Sequence, residues 1–98
     1  MELYQAEWCP HSHKVRQRLT ELGLDFVARQ VPADPDKRDE MRARTGTTGI
    51  PVLLADEGSV LRGEDEILPY LAQLEERADA PRHRAKAQEE VPQFEEVR

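Results

Sequence analysis

The sequence predicts a small mixed α/β domain with the element order βαβαββα and helices on both faces of one sheet. Strand and helix signals alternate from the start of the chain, and a first strand–helix–strand unit implies a parallel strand pair with a right-handed crossover. Further along, two apolar runs separated by a glycine-containing turn predict a hairpin, which adds antiparallel strands to the sheet.

The first strand is predicted at residues 3–5, and the first helix is predicted to begin at Pro10. Proline is favoured at the first helical position because its missing N–H would have no partner there. Gly23 is expected to supply a left-handed cap at the other end of this helix. The apolar stripe of the helix has three members at helical spacing: Val15, Leu19 and Leu22.

The second strand is predicted at residues 26–31. A short and mostly charged second helix is expected to start at residues 34–35, where an aspartate precedes a proline. It should continue to about Arg44 and end near Gly46.

The two strands of the hairpin are predicted at residues 51–55 and 59–62. The third helix is expected to open at residues 63–65. Pro69 then falls early enough in this helix to cost at most one hydrogen bond of its first turn.

The pattern changes beyond about residue 77, which predicts a domain at residues 1–77 and a charged extension at residues 78–98. The apolar residues Val91, Phe94 and Val97 suit one helical turn docked on the domain. A mobile or partner-seeking tail is the alternative.

Composition narrows the function classes. Twenty acidic against fourteen basic residues give a net charge of −6, with no basic stripe, so nucleic acid is not an expected partner. No signal peptide or membrane span fits the sequence. A single cysteine excludes an intramolecular disulfide framework and a multi-cysteine metal cluster within one chain, so a reducing, cytoplasmic location is expected.

That cysteine, Cys9, is a candidate nucleophile because it precedes Pro10 and so becomes the N-cap of the first helix. An N-cap side chain accepts hydrogen bonds from backbone N–H groups two or three residues on, here those of His11 and Ser12. It also lies at the positive end of the helix dipole. Both effects favour the thiolate, which is the reactive form. A buried core cysteine is the alternative.

Three segments carry a resemblance to a known family: LYQAEWCPHS at residues 3–12, TGIPVL at 48–53 and GEDEILPYL at 63–71. Together and in this order they resemble glutaredoxin and, equally, the N-terminal thioredoxin-like domain of glutathione S-transferase. The resemblance covers residues 1 to about 75. It implies a thioredoxin-like fold of the glutaredoxin type, a four-stranded mixed sheet flanked by three helices.

The resemblance implies an enzyme that exchanges disulfides between a glutathione-type thiol and mixed disulfides of proteins or small molecules. Cys9 is then the catalytic residue, with Pro10, His11 and Ser12 in support. Ser12 stands where many members have a second cysteine, so a monothiol mechanism is implied. Glutathione or another γ-glutamyl thiol is the implied co-substrate of a monomer with no permanent cofactor, no metal and no membrane partner.

The resemblance also implies four residues that bind the thiol. Pro51 matches the cis-proline of the family, and the backbone of Ile50 is implied to pair with the cysteinyl part of the ligand. An ordinary strand-starting proline is the alternative. Glu64 and Asp65 match the segment that holds the γ-glutamyl end, where helix N–H groups bind a carboxylate and an acidic side chain pairs with an ammonium. Asp65 also suits a plain helix N-cap.

Two departures from the family affect this site. A lysine common shortly before the cysteine falls on Ala6, and Glu7 adds negative charge that opposes thiolate formation. Since that lysine also serves the glycine carboxylate of glutathione, a thiol without glycine, such as γ-glutamylcysteine, is expected to suit the site. Arg42 and Arg44 are candidate replacements for the lysine.

Three alternatives stay open at this point: a non-catalytic thiol-binding or interaction module, a carrier of an iron–sulfur cluster bridged between two monomers by Cys9 and bound glutathione, and an isolated transferase-like domain. Relatives that carry clusters usually have glycine after the cysteine, whereas Pro10 stiffens that position here. The transferase interpretation lacks the second domain that would hold a hydrophobic substrate.

Overall fold

The computed structural model describes residues 1–74, 82 and 84–89. The four strands are β1 (Glu2–Gln5), β2 (Val27–Gln30), β3 (Val52–Leu54) and β4 (Val60–Arg62). The three named helices are α1 (Pro10–Glu21), α2 (Asp39–Thr45) and α3 (Gly63–Ala72), and residues 82 and 84–89 are also helical. The predicted boundary at residue 77 and the docking of Val91, Phe94 and Val97 lie outside the described residues.

The strands form one sheet in the order β2-β1-β3-β4. β1 pairs with β2 in parallel and with β3 antiparallel, and β3 and β4 form the predicted hairpin. Each strand begins and ends within one residue of its predicted bounds. The element order and the mixed sheet are therefore confirmed.

Each face of the sheet carries its own core, because successive side chains of a strand point to opposite faces. Leu3 faces α1 and α3, and the next residue, Tyr4, packs with Met41 of α2 on the other face. The core on the α1–α3 face consists of fully buried aliphatic side chains: Leu3, Val15, Leu19, Leu22, Leu53, Ile67 and Leu71. In the part of the chain that the structure describes, no helix has the length and apolarity needed to cross a bilayer.

The end of α1 follows the prediction closely. Gly23 adopts a left-handed conformation with φ of 70°, just after the last helical residues. Its neighbour Leu24 donates its backbone N–H to the carbonyl of Leu19 at 3.0 Å, which satisfies one carbonyl of the last turn.

The second helix differs from the prediction. A 3-10 turn at Pro35–Lys37 comes first, and α2 begins only at Asp39, because Arg38 leaves the helical conformation between them with φ of −92° and ψ of 51°. The Arg38 side chain is buried and donates hydrogen bonds to the carbonyls of Pro32, Ala33 and Thr48. These three bonds fix Arg38 and the loops on either side of α2, and they interrupt a continuous helix.

The start of α3 corrects two further expectations. Arg62, not Asp65, occupies the N-cap position, and Asp65 lies in the first turn. Pro69 lies in the interior of the helix, past its first turn, so the backbone hydrogen bond it cannot donate is an interior one.

Candidate thiol site

Cys9 caps α1 as the sequence predicts. Its backbone is extended, and its sulfur accepts a hydrogen bond from the backbone N–H of Ser12 at 3.4 Å, while Pro10 occupies the first turn of the helix. Cys9 is 6% exposed, so the residue is largely enclosed. The one cysteine of the chain is thus fixed at the positive end of a twelve-residue helix.

The environment of Cys9 lowers the pKa of its thiol, although the largest single influence acts the other way. Burial raises the pKa, and this is outweighed by the neighbouring Ser12 hydroxyl and the backbone N–H groups of Ser12 and His11, together with the positive charge of Arg16. The first turn of α1 contains no acidic residue. The net effect favours the thiolate.

The hydroxyl of Ser12 is a second feature of this pocket. Ser12 is fully buried, and its oxygen has no partner with hydrogen-bond geometry among the described residues. The same side chain is among the groups that lower the pKa of Cys9. A buried hydroxyl without a partner is unfavourable unless a second group or a ligand accepts its hydrogen. The sulfur of Cys9 is the acceptor to which it can turn.

Arg16 was not predicted as a site residue, yet its positive charge acts on the Cys9 thiol at the start of α1. It donates hydrogen bonds to the side chain of Gln5 and the carbonyl of Ala6, and it lies 3.4 Å from the carboxylate of Glu7. Arg16 lies seven positions after Cys9, a spacing that brings two positions to the same side of a helix. That spacing was the sequence signal that could have revealed it.

The two arginines proposed as replacements for the missing lysine have other partners. Arg44 forms a pair of hydrogen bonds with the carboxylate of Glu2, at 2.9 and 2.7 Å, at the start of β1, whereas Cys9 follows the end of that strand. Arg42 pairs with Asp39 on its own helix. Arg44 therefore lies at the end of β1 opposite to Cys9, whereas Arg16 contacts Ala6, the position of the missing lysine.

The Ile50–Pro51 peptide bond is cis, as the resemblance implies. Among the described residues, no hydrogen bond uses the backbone N–H or carbonyl of Ile50. The Ile50 side chain is half-buried against the core that contains Tyr4 and Met41. The carbonyl of Pro51 accepts the backbone N–H of Gly63 at 2.8 Å. This bond ties the start of β3 to the first residue of α3.

Glu64 joins the first turns of α1 and α3. Its carboxylate lies 2.5 Å from Nδ1 of His11 and 3.6 Å from Nζ of Lys14. The hydrogen bond with His11 is the largest influence and holds the pKa of Glu64 below its usual value. Burial, the next largest, opposes it, and the charge of Lys14 adds to the lowering. Asp65 is exposed and makes no hydrogen bond or ion pair with another described residue.

The residues predicted from the sequence are thus linked by contacts in three dimensions. Cys9 and His11 open α1, His11 contacts Glu64, and Gly63 beside it binds Pro51. The described part of the chain contains no cluster of three histidine, cysteine or acidic side chains suited to a metal ion.

The sequence is similar to those of known glutaredoxins and glutaredoxin-like proteins. A family model described as Glutaredoxin matches residues 1–60. Glutaredoxin 3 of Escherichia coli is 32% identical over 56 residues, which are 57% of this chain and 68% of that protein. An uncharacterized glutaredoxin-like 8.6 kDa protein of Clostridium pasteurianum is 32% identical over 63 residues, 64% of this chain and 83% of that one.

Solved structures show the same fold. A glutathione S-transferase domain-containing protein of Marinobacter aquaeolei superposes with a TM-score of 0.65 at 26% identity, over 87% of this chain and 45% of its own. A glutathione S-transferase of Methylobacillus flagellatus, solved with GSH bound, gives 0.61 at 27% identity, over 74% of this chain and 35% of its own. The chain spans less than half of these transferases, and the part it matches confirms the thioredoxin-like fold.

Proposed function

The chain belongs to the glutaredoxin family, and on that premise we propose that it is a monothiol thiol–disulfide oxidoreductase that uses glutathione or another γ-glutamyl thiol. The observation that carries the proposal is the sulfur of Cys9 at the N-cap of α1, where it accepts the N–H of Ser12. The lowered pKa of this thiol supports the same role, because the thiolate is the attacking form.

The reaction has two exchange steps. The Cys9 thiolate attacks the glutathionyl sulfur of a mixed disulfide, a bond forms between the two sulfurs, and the client leaves as a thiolate that takes up a proton. A second glutathione thiolate then attacks the glutathionyl sulfur on Cys9, which releases oxidised glutathione and restores the Cys9 thiolate. With Ser12 in place of a second cysteine, the second small thiol resolves the intermediate.

Ser12 and the backbone around it stabilise the Cys9 thiolate before the first step and again when the second step releases it. The backbone N–H of Ser12 already donates to Sγ, and the buried Ser12 hydroxyl is free to turn its hydrogen toward the same atom. Hydrogen bonds to an ionised acceptor are about twice as strong as those between neutral groups. We therefore assign Ser12 a role in holding the thiolate rather than in bond exchange.

The γ-glutamyl thiol is proposed to lie between the cis-proline bend and the start of α3. The unpaired backbone groups of Ile50 suit pairing with the cysteinyl part of the ligand, in the way an extended peptide adds to a strand edge. The first N–H groups of α3 suit a carboxylate. The Glu64 carboxylate suits the ammonium group, which would share it with His11 and Lys14. Exposed Asp65 offers a second negative charge to that ammonium.

The experiment that tests this function is turnover of a mixed disulfide between glutathione and a small thiol, with glutathione in excess and the release of oxidised glutathione followed. We expect activity in the wild-type protein and none above the uncatalysed rate in Cys9→Ser. Serine is itself a favoured N-cap residue, so this variant should fold and lose only the nucleophile. Equal rates for the two proteins would refute the proposal.

Mass spectrometry identifies the thiol. Wild-type protein is exposed at neutral pH to oxidised glutathione and, separately, to oxidised γ-glutamylcysteine, and the adduct on Cys9 is quantified over time. Faster modification by the second compound is expected, because no lysine stands at Ala6 to bind a glycine carboxylate. The cytoplasmic location and the monomeric state stay predictions from the sequence.

A further inference from the structure

Arg16 binds three consecutive residues that connect β1 to α1. Its Nη1 donates to the side-chain oxygen of Gln5, which is 1% exposed, and to the carbonyl of Ala6 at 3.4 Å. Its Nη2 lies 3.4 Å from the carboxylate of Glu7. The Arg16 side chain is only 17% exposed, in contrast to the solvated position usual for an arginine on a surface helix.

The carbonyl of Ala6 connects Arg16 to the reactive residue. The turn that delivers Cys9 to the start of α1 is closed by a hydrogen bond from the backbone N–H of Cys9 to this carbonyl, at 3.1 Å. Arg16 donates to the same oxygen. A single acceptor therefore holds both the backbone of Cys9 and the guanidinium group, so the position of one depends on the position of the other.

The charges around Cys9 explain why a cation is needed at this place. Glu7 lies two residues before the sulfur, and its negative charge opposes a thiolate unless it is neutralised. On α1, His11 and Lys14 are both engaged by Glu64 of α3. Arg16 pairs with Glu7, and its positive charge lowers the pKa of Cys9.

We propose that Arg16 is a positioning residue of the exchange reaction, which locks the turn before Cys9 through Gln5 and Ala6 and neutralises Glu7, two residues before Cys9 in that turn. It takes over the electrostatic part of the role that a lysine at Ala6 would have. The consequence for turnover rests on the proposed function, whereas the consequence for the sulfur itself does not.

The test measures the rate at which iodoacetamide alkylates Cys9 as a function of pH, since only the thiolate reacts. In Arg16→Gln, we expect the midpoint of the pH profile to rise by about one unit. Arg16→Lys keeps the charge and should retain most of the wild-type midpoint. Glu7→Gln removes the opposing charge and should lower the midpoint.

Arg18→Gln is the matched control, because Arg18 lies on the same helix, pairs with Glu21 and is absent from the site. It changes the net charge of the protein by the same amount as Arg16→Gln. If Arg16 had only a structural role, Arg16→Gln would change the unfolding midpoint in urea, but its alkylation profile would coincide with that of Arg18→Gln. If Arg16→Gln alkylates with the same midpoint as Arg18→Gln, the proposal is overturned.

The same variants separate this inference from the proposed function. If Arg16→Gln and Arg18→Gln have distinct alkylation profiles but the wild-type protein turns over no glutathione mixed disulfide, the role of Arg16 is supported and the oxidoreductase function is refuted. Normal turnover with coincident profiles would refute the role of Arg16 alone. If Arg16→Gln does not fold, Arg16→Lys and Glu7→Gln decide the outcome, and an unmoved midpoint in Glu7→Gln then counts against the proposal.

Discussion

The starts of α1 and α3 lie beside each other at the site but are built in opposite ways. α1 has the sulfur of Cys9 as its cap and no acidic residue in its first turn. α3 has Arg62 at its N-cap, with no hydrogen bond from that side chain, and three carboxylates in its first turn: Glu64, Asp65 and Glu66. The contact between His11 and Glu64 joins the two ends.

The difference between the two helix starts shows how the same backbone feature, a helix N-terminus, can suit either a negative or a positive ligand group. Both helix starts carry a partial positive charge and N–H groups that have no carbonyl partner within the helix. At α1 the first turn holds no acidic residue, so that charge is available to a thiolate. At α3 three carboxylates exceed it, so the net field suits an ammonium group, while the N–H groups suit a carboxylate. A γ-glutamyl thiol carries both of these groups close to each other.

The largest expected effect comes from removing the charge of Glu64. In Glu64→Gln, the KM for the glutathione mixed disulfide should rise about tenfold with kcat nearly unchanged, because a charge-assisted bond to the ligand ammonium is lost. Steady-state kinetics over a range of disulfide concentrations measures the change. Glu66→Gln is the matched control in the same turn, and an equal rise in its KM would show that Glu64 has no particular contact with the ligand.

Making the start of α1 resemble that of α3 should weaken the thiolate. His11→Glu places a carboxylate in the acid-free first turn, so the midpoint of the Cys9 alkylation profile should rise by about one pH unit. His11→Gln, which also loses the contact with Glu64 but adds no charge, should change the midpoint much less. Coincident profiles for the two variants would mean that the field at this helix end does not govern the sulfur.

The two N-caps should also differ in their contribution to stability. Cys9→Ala removes the side-chain cap of α1 and should lower the free energy of unfolding by about 1 kcal/mol relative to Cys9→Ser. Arg62→Ala at the matching position of α3 should cost less, because Arg62 makes no side-chain cap bond. Urea unfolding of the three variants measures both differences, and a larger loss in Arg62→Ala would contradict this account.

The smallest effect is expected in the acid dependence of stability. The partners of Glu64 hold its pKa below the usual 4.5, so its contribution to folding is complete above that value and is lost as the pH falls through the folded-state pKa. Between about pH 5.5 and pH 3, Glu64→Gln should therefore lose slightly less stability than the wild-type protein. Urea midpoints at several pH values test this, and parallel losses would exclude a stabilising role for the pair.

Local features of the sequence predicted most of the fold. The proline at the start of α1, the glycine after its end and the alternation of strand and helix signals were sufficient for the strands, α1 and the hairpin, because each depends on residues within a few positions of one another. The second helix was predicted incorrectly because Arg38 binds carbonyls up to ten residues away, and no local pattern reveals a buried arginine. The expected opening of α3 at residues 63–65 was right, but Asp65 is not its N-cap, because the helix already begins at Gly63.

The candidate site was predictable in its parts and not in its connections. The position of Cys9 followed from Pro10, and the expected Ile50–Pro51 bend and the Glu64 segment followed from the resemblance. The cation that contacts Ala6 could not be predicted in the same way. The expected Arg44 binds Glu2 at the far end of β1. Arg16 instead extends back from α1 to the turn at residues 5–7. Which cation lies near the sulfur depends on how α1 packs on the sheet.

The sequence by itself determined that a lone thiol begins a helix in a mixed α/β domain, since a helix start is fixed by the propensities and hydrogen bonds of neighbouring residues. Only the tertiary structure decided which charges surround that thiol. His11 and Glu64 are 53 positions apart in the chain, and β1 and β3 meet only within the sheet. Electrostatic fields depend on distance in space, and it is the packing of helices on the sheet that sets those distances.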